Sequence, residues 1–334
     1  DEAVQEVLLT MWETMDRICG KRLKAAIPSL LESMERHGHL QLDDVVRERI
    51  LRISPATIDR LLAPKREEGG AGRRKRKASQ HTLRNRIPVR TSSDWHDPPP
   101  GYLEVDFVAH CGGSMKGRFV HTFTVTDIAS CWTVCIPLVV REQSLVVQAL
   151  ELLRGQLPFI ILGLDTDNDS AFINETLIAY CTKRGIEQTR SRAYRKNDQA
   201  HIEQKNGDVV RRFVGYGRLE GLAAAHALTR LFRIANTYVN FFLPSFKLKE
   251  KIRIGAKVKK IYEAPATPCD RLLRNPRIDD CVKERLRTQR QELDPVKLIH
   301  ELRQAQQEVA DLAGLGFPDK NHEEAQTLEQ FLQH

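Results

Sequence analysis

The sequence predicts an α/β protein: a core on a mixed five-stranded sheet, flanked by an all-α N-terminal region and a basic C-terminal extension ending in helix. Three observations carry this. Residues 103–140 hold three β-branched or aromatic runs, LEVDFVAHC, RFVHTFTVTD and CWTVCIPLVV, joined by short connections. Residues 144–242 then alternate helical and strand patterns. On either side the periodicity changes, to helical spacing over 1–64 and to a period of two over 246–259.

In chain order, Val4, Val7, Leu8, Met11, Met15 and Ile18 recur at helical spacing and make one apolar face. A second helix is expected to begin at Pro28 and end at Gly38, and a third to span about Asp43 to Ile53. Ser54 then serves as N-cap, with Pro55 in the first helical position of SPATIDRLL. Two short helices with a tight turn between them suggest a helix-turn-helix, which would expose Thr57 and Arg60 to DNA. From Lys65 to Arg90 the chain reads KREEGGAGRRKRKASQHTLRNRIPVR. Arg73, Arg74, Lys75, Arg76 and Lys77 form its centre, a linker suited to a polyanion's backbone. DWHDPPPG closes it, because three prolines cannot continue a helix.

The three runs from Leu103 to Val140 are read as an antiparallel meander, with a turn at Asp127–Ser130. Next come a helix over Ser144–Leu157, a buried strand FIILGLDTD, a helix over Ala171–Arg184, a strand IEQTRS and a long helix from about Asp198 to Phe242. In FKLKEKIRIGAKVKKIY, Phe246, Leu248, Ile252, Ile254, Ala256 and Val258 share one parity, and the other carries lysine and arginine. Period two means extended chain with a basic face. That face is either a protected sheet edge or a strand along phosphates, with Lys257 and Lys259 among its contacts. LDPVKLIHELRQAQQEVADLAG is a capped final helix, suited to a short coiled coil or a partner subunit. The expected segments are therefore 1–64 helical and DNA-binding, 65–98 linker, 99–245 core, 246–275 basic and extended, and 276–334 helical tail.

Composition narrows the function. Of 334 residues, 52 are Lys or Arg and 44 are Asp or Glu, a net charge of +8, concentrated in the linker and the alternating segment. No apolar run approaches the roughly 20 residues that cross a bilayer, and no signal-peptide pattern opens the chain. The seven cysteines form no C-x-x-C pair, so reduced thiols in a cytoplasmic protein are expected, and neither a zinc ribbon nor a disulfide framework. The sequence begins with Asp1 and not Met, leaving room for an upstream segment.

Three acidic residues stand at informative places. Asp106 interrupts a strand between apolar neighbours, a costly position unless paired or metal-bound. Asp167 lies where the fourth strand runs out, and Glu203 in the first turns of the helix after SRAYRKND. Thirty-five residues separate Asp167 from Glu203. Three such oxygen donors at one end of a sheet suit two Mg2+ ions about 3.5–4 Å apart and displacement at phosphorus. Asp165 shares the parity of Asp167 and is its rival, while Asn168 and Asp169 read as turn formers. Asn197 or Asp198 would cap the helix of Glu203, and His110 and His201 are either near the site or bland. Arg192, Arg195 and Lys196 in the loop before that helix, and Lys205 on it, would hold a DNA backbone, with Tyr194 placed to stack on a base.

The set EVDF, TDNDSAF and NDQAHIEQKN resembles the catalytic core of the DDE transposases of bacterial insertion sequences, in the retroviral-integrase superfamily. The resemblance covers about residues 100–245. It implies a ribonuclease-H-like fold, the triad Asp106, Asp167 and Glu203, two Mg2+ or Mn2+ ions, and cleavage followed by transfer of a 3′-hydroxyl into target DNA. It also implies double-stranded DNA as partner, a homo-oligomer on two transposon ends, in some cases an accessory ATPase, and a place at the bacterial nucleoid. One departure stands out: the family pattern is Asp-Asn-Gly, and Asp169 occupies the glycine position, where aspartate tolerates left-handed backbone. Two other readings stay open, a nuclease of this fold that cuts without joining, and a non-catalytic DNA-binding regulator.

Overall fold

The computed structural model describes residues 2–66, 87–88, 97–191, 200–254 and 257–314. The chain divides into two compact units, one of 1–78, 237–275 and 283–300, the other of 79–236, 276–282 and 301–334.

The first unit begins with four helices, α1 (Glu2–Thr14), α2 (Gly20–Arg36), α3 (Asp44–Arg52) and α4 (Pro55–Arg66). Asp43 caps α3 through its side chain to the Val46 N–H, and the Ser54 hydroxyl takes the Thr57 N–H at the start of α4. The expected start at Pro28 is corrected: α2 begins eight residues earlier, with Pro28 inside it. The proline removes one i→i−4 bond, yet the buried stripe Leu23, Ala26, Ile27, Leu30, Leu31 and Met34 holds the helix on both sides. Four short helices bury little surface by themselves, and later parts of the chain complete their packing. Tyr238 Oη donates to the Thr14 carbonyl at 2.8 Å, and His39 Nε2 meets Asp294 Oδ2 at 2.8 Å.

The second unit is built on a sheet of β1 (Tyr102–Ala109), β2 (His121–Asp127), β3 (Thr133–Leu138), β4 (Gly163–Thr166) and β5 (Glu187–Arg190). The strand order is β3-β2-β1-β4-β5. β1 pairs antiparallel with β2 and parallel with β4, β2 antiparallel with β3, and β4 parallel with β5. This is the mixed sheet expected, in the ribonuclease-H-like arrangement. Helices α5 (Gln143–Gln156) and α6 (Glu175–Arg184) make the crossovers. Asn174 caps α6 through the Leu177 N–H, and Gly185 ends it in left-handed backbone.

Two expectations in this unit are corrected. Phe159–Leu162 is not strand: Ile160 is 79% exposed, and pairing begins only at Gly163. Gly101 permits the approach there, since a Cβ would lie 2.3 Å from the Ile160 carbonyl oxygen. The long helix after Asp198 is broken into α7 (Ala200–Lys205), a π-helical turn Asn206–Arg211, α8 (Arg212–Val214) and α9 (Gly221–Phe241). Gly215, at φ 77°, makes the break that a side chain would strain.

The alternating segment forms two strands, β6 (Leu248–Ile254) and β7 (Lys257–Tyr262), paired antiparallel. Their register sets Ile252 against Lys259 and Arg253 against Val258, so the single apolar parity of the sequence does not continue across the pair. Helices α10 (Pro268–Arg274), α11 (Asp280–Glu292) and α12 (Pro295–Leu312) follow. Asp294 caps α12, its side chain accepting from the Val296 N–H at 2.9 Å.

Candidate active site

Side chains alternate across a strand, so Glu104 and Asp106 lie on one face of β1, with Asp165 on the same face of β4 and Asp167 directly past its end. Pairing converts this into rows. Glu104 stands beside Asp165 on one side and Thr126 on the other, and the row continues to Thr133 on β3 and Thr189 on β5. One step on, Asp106 stands beside Thr124, which stands beside Cys135. The β1–β4 ladder ends at Val105–Thr166, leaving Asp106 and Asp167 as the next positions past it.

The outer carboxylates interact. Burial pushes the Asp106 carboxyl up to about 7, and the negative charges of Asp167 and Asp169 push the same way. Hydrogen bonds from the Phe107 N–H and the Asn206 side chain oppose them. Asn206 Nδ2 donates to Asp106 Oδ2 at 2.7 Å, and the π-helical turn that it opens aims it there. Asp167 shapes its own turn, Oδ1 accepting the Asp169 N–H at 2.8 Å, and Asp169 Oδ1 accepts from Ala171 at 2.9 Å. Asp169 also pairs with Arg141. Expected left-handed backbone at Asp169 is not found: the non-glycine positive-φ residues described are Asp16, Arg17, Asp97 and Cys131. An Asx turn replaces the glycine turn.

The inner carboxylates are buried, Glu104 at 0% exposure and Asp165 at 1%. Asp165 Oδ1 accepts from Thr189 Oγ1 at 2.7 Å, and Glu104 Oε2 accepts the Ile202 N–H on α7 at 2.8 Å. The structure therefore sets Asp165 beside Glu104, and Asp167 where its charge acts on Asp106.

Of the other expected site residues, Glu203 and His201 lie on α7, their side chains outside the described residues. Arg73, Arg74, Lys75, Arg76, Lys77, Arg192, Tyr194, Arg195, Lys196, Asn197 and Asp198 lie outside the described residues altogether. Lys257 and Lys259 are in β7, their side chains also outside the description, and Arg60 is exposed on α4. Lys205 is a correction. Expected to face DNA, it is 4% exposed, and its charge reaches the buried Cys135 thiol on β3. His110 is buried against Thr122 Oγ1 at 2.7 Å, and burial pushes it down to about 3, so it serves the core as neutral imidazole. Two residues escaped the sequence reading: Asn206, three positions after Glu203 and so on the same side of a helix, and Glu104, two before Asp106 on the same strand face.

Among the described residues no three His, Cys, Asp or Glu side chains gather closely enough to hold a metal. The donor set nevertheless fits one. Asp106 and Asp167 offer hard oxygens whose mutual repulsion a divalent cation relieves, and Glu203 belongs to the helix next to them. Nor is any helix among the described residues long and apolar enough to cross a membrane.

Residues 96–196 match the family model described as "Integrase core domain". With the mixed sheet and the paired carboxylates of its first and fourth strands, this makes the chain an integrase-superfamily protein, a nucleic-acid-processing class. Within that class it belongs to the family of "Uncharacterized protein y4rM" of Sinorhizobium fredii (strain NBRC 101917 / NGR234), being 53% identical over 268 residues, 80% of this chain and 77% of the relative. Two solved structures are also similar. One is the catalytic core domain of BIV integrase, 17% identical at a TM-score of 0.32, over 42% of this chain and 83% of that one. The other is the HTLV-2 integrase catalytic core domain in complex with magnesium (dimeric form), 14% identical at 0.34, over 45% and 93%.

Proposed function

We propose that this chain is a DNA transposase that cleaves transposon ends and joins the freed 3′-hydroxyl to target DNA. The observation that carries the reading is the placement of Asp106 and Asp167 at the end of the β1–β4 ladder, each charge acting on the other, with the helix of Glu203 tied to the same strand. Asp106, Asp167 and Glu203 would hold two Mg2+ or Mn2+ ions, which supply activation of the attacking oxygen and stabilisation of the leaving one. The protein's part is to hold these carboxylates rigidly on strands and to keep Asp106 oriented through Asn206 and the Phe107 N–H.

DNA would be held by the basic linker Arg73–Lys77, by Arg192, Arg195 and Lys196 before α7, by Arg60 on α4 within a helix-turn-helix of α3 and α4, and by Lys257 and Lys259 on β7. Asp43 and Ser54 cap helices joined by two residues, which supports that motif. Function on two DNA ends calls for a homo-oligomer. The test supplies duplex ends with a free 3′-hydroxyl, target DNA and Mg2+. Strand transfer by the parent and none by D106N, with DNA binding kept in both, is expected. Cutting without joining identifies a nuclease, and binding without either identifies a regulator.

A further inference from the structure

The catalytic carboxylates proposed above do not include Glu104, yet no acid in the sheet is more completely buried among the described residues, at 0% exposure. Its Oε2 accepts the N–H of Ile202, the residue directly before Glu203, at 2.8 Å. That N–H lies in the first described turn of α7 and takes this side-chain acceptor. An acidic side chain there also meets the positive end of the helix. α7 runs without a break into the π-helical turn Asn206–Arg211 and α8, so what anchors its first described turn also sets the height of that stretch over the sheet. Ile202 is buried at 0% and Lys205 at 4%, so α7 packs down on the sheet, with Glu104 an acceptor for its first described turn.

The row geometry explains why this residue type stands here. Asp106 is two positions further along β1 on the same face. One strand thus presents a ligand and, one row behind it, the acceptor that sets the height of the helix carrying another. Asp165 is Glu104's neighbour in register and is turned to β5 by the Thr189 hydroxyl, at 2.7 Å.

We infer that Glu104 is a positioning residue: it fixes the first turn of α7 against β1 and thereby sets where Glu203 stands relative to Asp106. The role assigned to Glu203 rests on the transposase reading; the tie between Glu104 and α7 does not.

The test uses the full chain with E104M, which fills the space without an acceptor, and E104Q, which keeps an acceptor oxygen without the charge. In metal-free protein, amide exchange over 200–205 is expected to accelerate at least about tenfold in E104M and to stay near the parent rate in E104Q. With Mg2+ and DNA ends, E104M should need about tenfold more Mg2+ for half-maximal cleavage at unchanged DNA affinity, while E104Q stays within about threefold of the parent. Parental exchange in E104M overturns the inference, as does an E104Q as inactive as D106N, since Glu104 would then act as a ligand. Should E104M not fold, parental exchange and Mg2+ demand in E104Q still support the inference, and E104Q inactivity still overturns it. A parent that neither cuts nor joins defeats the transposase reading, while the exchange result stands by itself.

Discussion

Arg141 and Asp169 form an ion pair, Nη1 to Oδ2 at 2.5 Å, at the edge of the site where Asp169 occupies the glycine position of the Asp-Asn-Gly pattern. Asp169 adds to the charge that raises Asp106, and Arg141 sets an opposite charge against Asp169. Glycine at this position should lower the Asp106 pKa in metal-free protein, and R141A should raise it, both read by NMR titration of the Asp106 carboxyl. D169G also loses the Ala171 hydrogen bond and gains backbone freedom, so a stability loss of about 1 kcal/mol is expected. An Asp106 titration unmoved by both changes would show that the pair is electrically isolated from the site.

A carboxylate that the fold holds up to about 7 is a liability without metal. The folded protein keeps a proton on Asp106 that the unfolded chain releases between about 3.8 and 7. Its contribution therefore falls as pH rises through that window. D106N cannot titrate, and Asn206 Oδ1, a buried acceptor with no hydrogen-bond partner, offers a place for the new amide. Metal-free D106N should match the parent near pH 3.5 and exceed it at pH 8 by about 1–2 kcal/mol. Excess Mg2+ should reverse the order, since only the parent gains binding energy. Denaturant melts at the two pH values, with and without Mg2+, check it.

The acid side has the opposite sign. Burial first, then the Arg141 charge, hold His121 down at about 4, and it sits among Phe107 and Phe119 as neutral imidazole. The unfolded chain takes up a proton below about 6.5 that the folded protein refuses, so stability is lost as pH falls from there toward 4. H121F removes this term. It should equal the parent at pH 8 and be more stable at pH 5 by about 1–2 kcal/mol, with melting curves at both as the measure. Equal acid sensitivity in the two proteins would place the acid limb elsewhere, at His110 first.

The nearness of Asp106 and Asp167 was legible because a charge between apolar strand neighbours has few innocent explanations, and because Asp167 directly follows the short buried strand Gly163–Thr166. Glu104 was not, because its burial depends on β4 lying parallel at its side, and a sequence does not state which strands are neighbours. Lys205 looked like a solvated helix charge until α7 was laid on the sheet. The break near Gly215 was hidden because apolar spacing runs on through both halves, and the π-helical turn has no periodicity of its own at this length.

The two aspartates of LDTD can now be separated by experiment. Asp167 stands past the ladder with its charge on Asp106, whereas Asp165 is one row back, 1% exposed and hydrogen-bonded to Thr189. An asparagine keeps an oxygen for that hydroxyl, so D165N should fold and retain cleavage within about tenfold of the parent, its change appearing in stability. D167N removes a proposed metal ligand and should lower single-turnover cleavage by about a thousandfold or more, with DNA affinity preserved. It should also lower the Asp106 pKa, because the neighbouring charge is gone. If D165N is the inactive variant and D167N the active one, the ligand is Asp165, and the row containing Glu104 is the catalytic one.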